Sequence, residues 1–240
     1  MNLQLRALTG LMVFLLLVCG SALPAAAGCG AGDGGYTQAA MDLEPIIVIR
    51  DGETHNLSLV DTYEFLEHPC LTATVAFQAA RYGLEMLYGG ETPVIEDVVA
   101  FSPAAGGSMG ALDFIFKGDN PRDKTWPPAG ITRSADNFVY QFLRKSTLQA
   151  VTIRLKDKVW PEDWFELREK QHDGTITEAQ RKKRSQDRRF ILENYPAMEF
   201  EELFEDPDLF TFIAWGHMEK GEMDRKIREQ RRQAREQAQN

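Results

Sequence analysis

Apolar residues recur with a helical period over one long stretch of the chain. Leu71, Val75, Ala79 and Met86 stand four or seven positions apart, and Ala76, Ala80, Leu84 and Leu87 widen the stripe. This predicts a long helix with a broad buried face. Gly89-Gly90 closes it, because helices commonly end through a left-handed residue that glycine tolerates. Pro69 suits the first helical position, where its missing N–H costs nothing, and that puts Cys70 in the first turn. Just upstream, Thr62-Tyr63-Glu64-Phe65-Leu66 predicts a short helical turn closed by the proline.

Elsewhere the period is two. The β-branched run at 45–50, stopped by Asp51-Gly52, reads as a strand and turn, with His55 following in an exposed polar loop. Residues 94–101 predict a second strand. A meander follows at 138–143 and 148–155, turning near Lys145-Ser146-Thr147; its second strand sets Ala150, Thr152 and Arg154 against Val151, Ile153 and Leu155. Between these lie a small-residue loop at 102–108, a short helix at 109–116 ending near Gly118, and an irregular stretch carrying Pro121, Pro127 and Pro128. From Pro161 the pattern is helical. Thr177-Glu178-Ala179-Gln180 has the form of a capping box and opens a helix running to about Asn194. Its Arg181, Lys182, Lys183, Arg184, Arg188 and Arg189 read as a solvated face. A last helical turn at 198–204 precedes an apolar run, 209–215, expected to dock on the core. The expected fold is α+β: a long helix packed on a mostly antiparallel sheet, with C-terminal helices.

The two ends stand apart from that domain. Arg6 precedes an apolar run at 11–18 that is short for a membrane span. Ala25-Ala26-Ala27-Gly28-Cys29, followed by a glycine-rich stretch, resembles the lipobox of bacterial lipoproteins. This divides the chain into a signal peptide (1–28), a lipidated N-terminus and flexible tether (29–44), an α+β domain (45–216) and a charged tail, helical or disordered (217–240). Cys29 is the expected lipidation site, and the lipid membrane the expected partner. Cleavage after Ala27 would instead give a soluble periplasmic protein. Either way the mature chain is exported to the cell envelope.

Charge and cysteines narrow the function. A net charge of −9 excludes general nucleic-acid binding, and no phosphate-binding, GxSxG or HExxH motif is present. Cys19 falls in the signal peptide and Cys29 takes lipid, so Cys70 is left as the one thiol of the domain. It is a buried inert residue, a metal ligand or a reactive thiolate. His68, two residues earlier, could share its side of the chain.

The order of elements resembles the FmdE-like family, a domain known from formylmethanofuran dehydrogenase, over roughly residues 55–206. Members carry a Gly-His-x-Cys-Pro-Gly motif opening a long helix, as Glu67-His68-Pro69-Cys70-Leu71-Thr72 does here. A Ser-Cys-x-x-Asp-Ala-Ile segment is approximated by Ala111-Leu112-Asp113-Phe114-Ile115, the meander by Phe138-Val139-Tyr140 through Ile153-Arg154-Leu155-Lys156, and the closing element by Glu201-Glu202-Leu203-Phe204. The resemblance implies that His68 and Cys70 help bind a metal, zinc or another transition metal. It departs where the family's second cysteine region becomes Ser102, Gly106, Gly107 and Ser108, a candidate ligand loop, and the appended zinc ribbon is absent. Further ligands would come from Asp113, His217, Glu67, water or a second chain, so a homodimer sharing sites would complete the set. The expected function is an envelope-anchored metal- or cofactor-binding accessory module. The alternatives are a non-enzymatic lipoprotein that binds another envelope protein, with Cys70 in its core, and an enzyme using Cys70 activated by His68.

Overall fold

The computed structural model describes residues 35–118 and 130–213, together with scattered positions between 220 and 236. In chain order the described elements are α1 (Gln38–Asp42), β1 (Ile46–Arg50), β2 (Glu53–Leu57), α2 (Leu59–Phe65), α3 (Leu71–Tyr88), β3 (Val98–Phe101), α4 (Gly107–Lys117), β4 (Val139–Arg144), β5 (Gln149–Arg154), α5 (Trp164–His172), α6 (Glu178–Asn194), α7 (Phe200–Leu203) and β6 (Asp208–Thr211). The fold is α+β, as the hydrophobic pattern predicts.

The central layer is an antiparallel sheet in the order β3-β4-β5-β6, with Val99↔Leu143, Leu143↔Ala150 and Ala150↔Phe210 in register. Side chains alternate along its strands. Tyr140, Phe142, Val151 and Ile153 point inward and are wholly buried beneath α3. The helix can sit that close because of Gly83: a Cβ there would lie 3.1 Å from Cγ of Phe142 and inside 3.0 Å of two further ring atoms. α4 runs along α3, so most of α3 from Leu71 to Ala80 is buried. Met86 departs from the predicted stripe and is 37% exposed.

Beside the sheet stands the hairpin β1-β2, turning at Asp51 (φ 51°) and Gly52 (φ 80°), positive values at both central residues that match the twist of a two-residue hairpin. His55 lies in β2 opposite Val48 and is half-buried, so the expected loop is a strand. The Ile49 N–H donates to the Pro93 carbonyl at 2.8 Å and ties the hairpin to the domain.

Two expectations are corrected at the ends of the domain. Within residues 36–42, expected as tether, Gln38–Asp42 forms α1. Its cap Thr37 donates to the Leu192 carbonyl of α6 at 2.8 Å, and Ala40 is buried; the partner lies far away in sequence, so no local pattern announces it. The run from 209 onward does not dock on the core as far as it is described. It forms the edge strand β6 and the two residues after it, with Leu209, Phe210, Phe212 and Ile213 exposed; residues 214 and 215 lie outside the described part. Capping behaves as read: Thr177 and Gln180 close a capping box on α6. Of the expected basic face, Lys183 pairs with Asp163 at 2.5 Å and Asp187 at 2.9 Å. Arg188 instead reaches back to the Pro69 carbonyl at 3.2 Å. Among the described residues no helix is long and apolar enough to cross a membrane.

Candidate functional site

The His68-Pro69-Cys70 tripeptide is the link between α2 and α3. Ser58 and Asp61 form a capping box that starts α2, and the helix ends where Glu67 takes φ 64° and reverses the chain. The His68 N–H then donates to the Tyr63 carbonyl at 3.0 Å. α3 begins two residues later than the proline predicts. Cys70 is its N-cap, extended at φ −122° and ψ 120°, and makes no capping bond with its side chain. Pro69 therefore precedes the cap, and Cys70 is not in the first turn.

The thiol points into the interior, with Cys70 only 1% exposed. Its Sγ lies 3.5 Å from the Thr72 hydroxyl and packs on the first turn of α4. A Cβ at Gly107 would fall inside 3.0 Å of Sγ and 2.8 Å from the Thr72 Oγ1, so the sulfur fills the space that a side chain at 107 would need. Ser108, the next residue, donates to the Thr72 carbonyl at 2.9 Å and lies 3.1 Å from the Tyr140 hydroxyl. Tyr63 sits 2.5 Å from the Thr74 hydroxyl, which donates to the Cys70 carbonyl at 3.0 Å. Burial pushes both tyrosine hydroxyls well above their ordinary range, so both are neutral hydrogen-bonding struts.

The predicted site residues separate into two places. Cys70, Gly107 and Ser108 meet at the start of α3 and α4, and the glycine and serine belong to the helix, not to a mobile loop. Gly106 takes φ 71° just before it. Ser102 donates to the Val139 carbonyl at 2.7 Å and accepts from the Ala104 N–H at 3.0 Å. It lines a cavity of about 300 Å³ with Asp113, Glu96, Lys145 and Asp224. Asp113 is 5% exposed and pairs with Lys117 at 2.5 Å. Its carboxylate is matched to a cation of its own helix, one turn away. Glu67 is exposed. His217 and Cys29 lie outside the described residues.

Among the described residues the donors fall short of a zinc site. A structural zinc takes four ligands and a catalytic one at least three from protein. Among the described residues no three His, Cys, Asp or Glu side chains converge to hold an ion. His68 does carry one feature common in metal-binding histidines. Its Nδ1 lies 2.7 Å from the Leu66 carbonyl, so Nδ1–H donates to a backbone acceptor.

The chain matches no protein-family model and no curated protein. The likeness to FmdE-like proteins rests on the motif residues alone.

Sequence reading missed two features. Tyr63 and Tyr140 brace the thiol's surroundings, and nothing in their local pattern marks them. The exposed apolar edge, Leu209, Phe210, Phe212 and Ile213, was legible as an apolar run but not as a surface. Whether such a run is buried is decided by what packs on it.

Proposed function

We propose that this chain is a non-enzymatic docking protein of the cell envelope, held to the membrane by acylated Cys29 and offering its α+β domain to another protein chain. The observation that carries the reading is the edge strand β6. Leu209 is 49% exposed, Phe210 39%, Phe212 51% and Ile213 73%, on a strand that among the described residues is paired on one side only. Soluble proteins guard such edges with lysine, proline, bulges or a covering element, and they rarely leave apolar side chains clustered there unless something binds. Residues 208–213 hold no lysine and no proline.

The thiol supports the same reading. A nucleophilic cysteine needs access, and Cys70 is 1% exposed, with the Thr72 hydroxyl 3.5 Å from its sulfur. Export and the anchor rest on the sequence pattern of residues 1–35. In cells, a photo-crosslinking amino acid at Phe212 is expected to give a discrete adduct that Phe210→Lys abolishes. The same probe at exposed Met86 should give none. Equal labelling from both positions would refute docking at β6.

A second reading is favoured by the His68 Nδ1 bond to the Leu66 carbonyl, a backbone bond that orients the imidazole as in many metal-binding histidines. In it the chain is an envelope-anchored metal module, with His68 and Cys70 joined by donors outside the described residues. Elemental analysis of protein purified without chelator decides it. Stoichiometric zinc that disappears in Cys70→Ser would establish the metal module, and equal trace metal in both would end it.

A further inference from the structure

The backbone of β6 gives its free edge a defined register. Phe212 N–H donates to the Leu148 carbonyl at 2.8 Å, and antiparallel pairing alternates direction along a strand. The backbone groups of Asp208, Phe210 and Phe212 therefore face β5, while those of Leu209, Thr211 and Ile213 face outward. This outward set can accept another strand.

Resting on the docking reading, we propose that the occupant of this edge is a second copy of the same chain. The two β6 strands would pair antiparallel about a two-fold axis at Thr211, joining two four-stranded sheets into one of eight. That register sets Thr211 opposite its own copy, Leu209 opposite Ile213 of the other copy, and Phe210 opposite Phe212. Every cross-strand pair is then apolar or hydroxyl with hydroxyl, the classes that stabilise neighbouring strands. Asp208 is the one charged residue of 208–213. The two-fold carries its two copies to opposite ends of the ladder, so no like charges meet although the chain as a whole is at −9.

Self-complementarity of this kind is what an isologous interface requires. Phe210 and Phe212 already touch edge-on, with ring centroids 5.1 Å apart, and the two-fold doubles them into a cluster of four rings. The exposed parts of the four apolar side chains amount to roughly 400 Å² per copy, on the scale of 150–250 Å² for a large side chain. Two copies with their strand backbones bury at most about 1,000 Å², the small end of specific interfaces. A membrane surface fits the edge less well, because Glu205, Asp206 and Asp208 lead into the strand and anionic lipid repels them.

Two measurements on the full chain in detergent test this. Sedimentation is expected to show a dimer that Phe210→Lys weakens by about 100-fold, while Phe190→Lys, an exposed position on α6, leaves it intact. Thr211→Cys should cross-link into a dimer under mild oxidation beyond the parent chain's own background, since directly opposed strand residues lie within disulfide reach. Asp208→Cys should not. A monomer in sedimentation, with no Thr211→Cys dimer, overturns self-pairing. If Phe212 still gives a discrete cellular adduct of another mass, the docking reading survives with a different partner. If it gives none, both fail. Binding of the monomer to neutral phosphatidylcholine vesicles, lost in Phe210→Lys, would assign the edge to lipid and also overturn the pairing.

Discussion

Replacing Gly107 by alanine would drive a methyl group into the space now held by the Cys70 sulfur. The new Cβ would come inside 3.0 Å of Sγ and 2.8 Å from the Thr72 hydroxyl, with the Ala73 amide nitrogen at 3.5 Å. The hydroxyl can rotate away, but the sulfur is confined, because Cys70 is 1% exposed. α3 and α4 must separate or Cys70 must change rotamer, and overpacking of this kind costs about 1–3 kcal/mol. Cys70→Ala alone removes one buried heavy atom and should cost about 1 kcal/mol. In the double variant the methyl group introduced at position 107 occupies the volume that the sulfur vacates. Its loss of stability should fall short of the sum of the single losses by at least about 1 kcal/mol. Urea unfolding followed by far-UV circular dichroism measures all four corners of this cycle, provided the slope with denaturant stays constant. Additivity to within about 0.5 kcal/mol would refute the packing of the thiol on α4, and with it the structural role of Cys70.

Three further outcomes follow from the same geometry. Gly83→Ala gains up to about 1 kcal/mol of helix propensity, yet its methyl would meet the Phe142 ring inside the core; the variant should unfold at lower urea, and a stabilised one would mean that α3 stands further from the sheet. Ser58→Ala breaks the capping box on α2 and should cost about 1 kcal/mol, seen as a lowered thermal midpoint, while an unchanged midpoint would detach α2 from global stability. Burial raises the hydroxyl pKa of Tyr63, Tyr88, Tyr140 and Tyr195. In the unfolded chain they ionise near pH 10, so above that pH the native state holds more protons and stability falls as pH rises. Absorbance at 295 nm should show these four titrating together with the loss of the fold, and their smooth ionisation in a folded protein would contradict the burial.

The candidate site was legible in part. His68, Cys70 and the helix after them stand out because proline, a helical period and a terminal glycine are local signals. The seat of the thiol was not legible, since it depends on Gly107 of another helix, and glycine advertises a close approach without saying what approaches. Ser102 and Asp113 belong to a separate cavity. The sequence groups Ser102 with the site by its place in the small-residue loop, and Asp113 by the resemblance and its residue type.

By itself the sequence determined the elements whose causes are local: α3 from its apolar period, β4 and β5 from their alternation, and α6 from Thr177 and Gln180. Those signals act over a few residues, where backbone hydrogen bonding and rotamer freedom are decided. Tertiary structure alone decided which surfaces met. It turned Gln38–Asp42 into a docked helix through Thr37 and Leu192, buried Cys70 against Gly107, and left the apolar residues of β6 facing solvent. Burial is a property of pairs of segments brought together from distant parts of the chain, and an apolar run carries the same letters whether it lies in a core or along an open edge.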